Sequence, residues 1–125
     1  MKLTNIQYGV IIAALLTAVL HLVAAFDKAL FPESPDVLFI LNGLGYLGLL
    51  GAYFLPIPFF QGRHKLVNRV LIGFALLTIA AWVFIWVVQA VIIHGEPFFS
   101  YDSIYGVPAK LSEAALIYFL IKDKQ

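Results

Sequence analysis

Two ionisable residues three positions apart, Lys110 and Glu113, lie inside an apolar stretch near the end of the chain. That spacing puts both on one face of a helix, where an ammonium and a carboxylate can pair. Three more polar side chains, His21, Asn42 and Gln89, each interrupt a different apolar stretch. Such a set is suited to two kinds of chemistry. His21 and Glu113 are proton-transfer groups, whereas Lys110 or Glu113 can meet the polar head of a quinone, a lipid or a small acid that Asn42 and Gln89 hydrogen-bond. Trp82 and Trp86 share a helical face with Gln89 and would wall such a site, although aromatic rings in a stripe also serve plain packing.

The elements that must hold these residues follow from composition. The 125 residues fit one domain, 1–125, and at 62% hydrophobic and 12% charged they lie far from soluble globular proteins. Four apolar stretches approach the ~20 residues that cross a bilayer as helix. The expected fold class is therefore all-α: a polytopic membrane protein, a four-helix transmembrane bundle with helices at about 8–26, 35–55, 66–93 and 104–121. The first stretch, with Lys2 ahead of it, has some features of a signal peptide, but it is longer than a signal core and contains His21. It reads as a retained helix.

Punctuation residues support these bounds. Ser34-Pro35-Asp36 offers a cap, a first-turn proline and an acid suited to the positive end of the second helix. Pro56 and Pro58 end it, since proline has no amide donor and clashes with the preceding turn. Gly106 and Pro108 leave the start of the fourth helix open. Lys and Arg divide six against one between the two sides: Lys2, Arg63, Lys65, Arg69, Lys122 and Lys124 against Lys28. Cations collect in cytoplasmic loops, so both termini are expected in the cytoplasm of a multi-pass protein of the cell membrane.

Helices in lipid associate where small side chains let backbones approach. Ala14, Thr17, Ala18, His21, Ala24 and Ala25 make one such stripe on the first helix, and Asn42, Gly45, Gly48 and Ala52 another on the second. The two are expected to meet. On the third helix the stripe runs through Ala75, Thr78, Trp82, Trp86 and Gln89. Counting from the outer helix ends puts His21, Asn42 and Gln89 at one depth, ~7 to 8 Å in at 1.5 Å per residue, with Lys110 and Glu113 entering the same zone. A charge at the helix centre costs roughly 2.5 to 3.5 kcal/mol on insertion scales, so these groups should find one another; the alternative for Lys110 is a stem that reaches the headgroups.

Several functions are set aside. The net charge of +1 supplies no basic field for nucleic acid, and no cysteine is present to hold covalent haem or an iron-sulfur cluster. A b-type haem on His21 lacks a second axial histidine at matching depth, because His94 is at the membrane edge and His64 on the opposite side. Cofactors therefore remain unknown. No nucleophile or metal-ligand set accompanies the polar residues, which leans away from an enzyme. His21 late in the first helix, Asn42-Gly43-Leu44-Gly45-Tyr46, and Lys110 with Glu113 together resemble small four-helix prokaryotic membrane proteins without assigned function. Three readings follow: a non-enzymatic bundle, as homo-oligomer or accessory subunit of a larger membrane complex; an outward-opening ligand site; and a proton-coupled carrier or membrane enzyme using His21 and Glu113.

Overall fold

The computed structural model describes residues 2–97 and 103–123. Four helices account for most of them: α1 (Asn5–Ala25), α2 (Val37–Phe54), α3 (His64–Trp82) and α4 (Ser103–Lys122). A short 3-10 turn, Pro58–Phe60, precedes α3, and a π-helical segment, Val83–Ile93, continues it. All four are long and apolar enough to cross a membrane, which suggests a multi-pass membrane protein.

Local chemistry sets the ends. Thr4 and Gln7 form a capping box, each side chain accepting the other's backbone N–H at 3.1 Å. The helix thus starts three residues before Tyr8, at a Thr-x-x-Gln signature that the apolar run alone does not show. For α2 the cap is Asp36, whose Oδ2 accepts from the Phe39 amide at 3.1 Å, and not Ser34. Pro35 consequently lies outside the helix. The fourth helix runs through Pro108, its sixth residue, which leaves the Ile104 carbonyl without the amide that would otherwise reach it. At the far end of the π segment Gly95 adopts φ +70° and donates to the Val91 carbonyl, a left-handed turn that a side chain would strain.

Packing centres on α1, which touches both α2 and α4 along its length. Ala14, Thr17, Ala18, His21, Ala24 and Ala25 are all buried, so its small-residue stripe is the inward face. On α2 the contact is rotated from the expected one. Gly43 is buried against α1, where an added Cβ would stand 2.7 Å from Leu22 Cγ, and Gly45 faces Phe74 of α3. Gly48 is exposed with open space around it, so the expected Gly48 contact with α1 is corrected: Tyr46, too large for a small-residue stripe, is the residue that turns inward. Leu71, Leu116 and Leu120 complete the interior with Val10. Every helix contributes large apolar side chains to the outer surface, a composition suited to an apolar solvent.

A buried polar chain between α1, α2 and α4

Glu113 is fully buried, with no exposed surface. Lys110, one turn before it on α4, donates to its Oε1 at 2.7 Å. The Tyr46 hydroxyl, from α2, donates to Oε2. Both carboxylate oxygens therefore have partners from the same chain. The Lys110 side chain is 13% exposed and turned inward to Glu113 rather than out to the surface.

His21 joins from α1. Its ring lies 5.9 Å from that of Tyr46 and meets Phe39 edge-on at 5.8 Å. Nδ1 donates to the Thr17 carbonyl at 2.8 Å, since a carbonyl can only accept; this places a proton on Nδ1. One turn away, Ser112 donates to the Ala109 carbonyl at 2.8 Å, which leaves its oxygen free to accept from the Thr17 hydroxyl at 2.6 Å. Every hydroxyl here has one hydrogen, so the direction of each bond follows from its neighbour.

Asn42 pairs with Thr78 of α3, whose side chain also lies beside the Tyr46 hydroxyl. Its Nδ2 donates to Thr78 Oγ1 on α3 at 3.0 Å, and Thr78 in turn donates to the Phe74 carbonyl at 2.9 Å. Two buried polar atoms have no hydrogen-bond partner in this region of α2 and the π segment, Asn42 Oδ1 and Trp86 Nε1. Trp82 packs at the start of α4, where a Cβ on Gly106 would come within 2.7 Å of its Nε1. Gln89 is exposed and does not join the polar set. Its placement assumed 3.6 residues per turn, but the π segment makes i→i+5 bonds, such as His94 N–H to the Gln89 carbonyl, and its wider turns rotate later residues off the α-helical stripe. In the expected four-helix layer, α3 therefore contributes Thr78 in place of Gln89.

A second cluster ties the opposite end together. The Tyr53 hydroxyl donates to Asp123 Oδ2, and Asn68 Nδ2 donates to both Tyr53 Oη and the Leu120 carbonyl at 2.9 Å. His64 stacks on Tyr53 with ring centres 3.9 Å apart, donates through Nδ1 to the Tyr53 carbonyl at 3.1 Å, and sets Nε2 3.7 Å from Asp123 Oδ2. None of these four residues stands out in the sequence. A polar Asn68 one turn into an apolar helix was the available signal. At the other end, Tyr105 donates to Asp27 Oδ2 at 2.6 Å and closes the first loop onto α4.

No curated protein and no solved structure matches the chain. A family model does, over residues 2–119, nearly the whole length with all four helices. The chain belongs to DUF7475, a family of unknown function.

Proposed function

We propose that this is an integral membrane protein of the cell membrane with both termini in the cytoplasm, working as a non-enzymatic four-helix bundle, in an oligomer or as an accessory subunit. The polar chain fixes the register of α1, α2 and α4. One observation carries this reading: Glu113 is fully buried and each of its oxygens accepts a hydrogen bond from within the bundle, from Lys110 and Tyr46. The division of six Lys and Arg against one supports the orientation.

The test is to replace the network by apolar groups of similar size, Tyr46→Phe, Lys110→Met and Glu113→Leu together. Such replacements of buried ionic groups are often neutral or stabilising. The triple variant is expected to keep the wild-type assembly size and the same co-purifying molecules by native mass spectrometry. A small molecule carried by the wild type and absent from the triple variant would overturn the register role.

A second reading rests on Asn42 Oδ1 and Trp86 Nε1, an acceptor and a donor left without partners. Buried polar groups are nearly always satisfied, so a small polar ligand, such as a quinone head or a small acid, would complete them. Trp82 and Trp86 would then be its walls. Co-purification of such a molecule, and its loss from Trp86→Phe, is the corresponding measurement.

A further inference from the structure

At the end of the bundle where most Lys and Arg gather, a cavity of about 390 Å³ opens between the first turns of α3 and the last turn of α4. His64, Lys65, Asn68 and Arg69 form its polar side, and Ile72, Leu120 and Ile121 its apolar floor. Lys65 and Arg69 are four residues apart, so both cations stand on one face of α3 above Ile72, one turn further in. Both are exposed, and among the described residues neither forms an ion pair. The one carboxylate in the lining, Asp123, is already engaged by Tyr53 and His64. The lining thus carries two cations, Lys65 and Arg69, against one carboxylate, Asp123, a positive balance with hydrocarbon deeper in.

From this arrangement we infer that the cavity is a binding site for an anionic phospholipid, with the phosphate between Lys65 and Arg69 and an acyl chain on Ile72, Leu120 and Ile121. The inference depends on the chain lying in a bilayer but not on the role of the Glu113 network, which is at a different place. Charge complementarity selects the headgroup. Arginine offers a planar fork that meets phosphate oxygens in pairs, and lysine a point charge beside it. Asn68 contributes no donor of its own to the phosphate, since its amide hydrogens are spent on Tyr53 and Leu120. Basic pockets at this level of a membrane protein are suited to lipid phosphates, and each cation near the surface contributes enough for about a fivefold gain.

Native mass spectrometry of the full-length protein in a zwitterionic detergent tests the site with three probes: phosphatidylglycerol, phosphatidylcholine and glycerol 3-phosphate, the last being the headgroup chemistry without chains. The wild type is expected to retain phosphatidylglycerol in preference to the other two. Lys65→Gln with Arg69→Gln is expected to weaken it about thirtyfold, with an unchanged lipid-free melting temperature. Arg63→Gln removes an equal charge outside the cavity, where Arg63 lies over the Phe59 ring at 4.5 Å, and is expected to change binding less than twofold. Four outcomes would each overturn the assignment: equal retention of phosphatidylcholine, unaltered binding by the double variant, an equal loss from Arg63→Gln, or glycerol 3-phosphate binding as tightly as the lipid.

Discussion

Gly43 of α2 and Leu22 of α1 approach so closely that a Cβ on Gly43 would stand 2.7 Å from Leu22 Cγ and 3.0 Å from the Ala18 carbonyl oxygen. The leucine tip can move; the carbonyl belongs to the α1 backbone and cannot without shifting the helix. Gly43→Leu is therefore expected to destabilise the bundle by about 1 to 3 kcal/mol or more, the range for overpacking. Gly48→Leu meets open space and should change little. Thermal unfolding of both in one detergent checks the contrast, and equal midpoints would refute this packing of α1 on α2.

Single replacements in the Glu113 network should be worse than joint ones. Glu113→Leu strands the Lys110 ammonium and the Tyr46 hydroxyl, and Lys110→Met strands a buried carboxylate. Breaking a buried pair from one side costs about 3 to 5 kcal/mol. Lys110→Met with Glu113→Leu leaves only the Tyr46 hydroxyl unsatisfied, at about 1 to 3 kcal/mol, and adding Tyr46→Phe should recover that loss. A cycle of unfolding free energies measures the coupling. Strictly additive losses would mean that the side chains do not interact.

Thr17 and Ser112 should behave in the same way at smaller scale. Ser112→Ala removes the acceptor of the Thr17 hydroxyl, leaving a buried donor unpaired at about 1 to 3 kcal/mol. Thr17→Val added to it should cost less than the two changes separately. If Ser112→Ala alone leaves the unfolding midpoint unchanged, the contact between α1 and α4 does not hold the helices.

The Asp123 cluster should govern fraying of α4. Asp123→Ala frees the Tyr53 hydroxyl and the His64 ring, so amides from Leu120 to Asp123 are expected to exchange hydrogen at least several times faster, while those around Leu116 keep their protection. Mass-spectrometric hydrogen exchange reads both segments. Unchanged exchange at the end of α4 would show that the helix holds without this clamp.

Orientation has its own test, because the chain has no cysteine. A cysteine at Gln61 should be protected from an impermeant thiol reagent in intact cells, and one at Glu96 should be labelled. The reverse pattern would invert the topology.

The inward face of α1 was legible because Ala14, Thr17, Ala18 and His21 contrast in size and polarity with the residues between them, and α1 keeps an even α-helical turn. For α2, apolar all round, glycine gave no direction: Gly43, Gly45 and Gly48 point three ways, and the side that mattered was marked by Tyr46. Lys110 and Glu113 were legible as a pair, since spacing along one helix is local information. Their bond to Tyr46 was not, because it depends on how α2 is rotated against α4. Gln89 was misplaced by the change of turn in the π segment. The Tyr53, His64, Asn68 and Asp123 cluster draws on three helices, and sequence spacing has no bearing on which of their ends coincide.

The last helix bears on how such a chain is made. α4 is the least apolar of the four spans and, among the described residues, the only one that carries both members of an ion pair within it. Entering lipid alone, Lys110 and Glu113 would each cost roughly 2.5 to 3.5 kcal/mol. By the time α4 leaves the ribosome, α1 and α2 have already been synthesised, and they hold the Thr17 and Tyr46 hydroxyls that its polar face needs. In a bilayer the earlier helices would serve as the solvent in which the final one integrates, and lesions at Tyr46 or Thr17 are expected to appear first as failed insertion of α4, whose partner residues Glu113 and Ser112 lie 67 and 95 positions downstream.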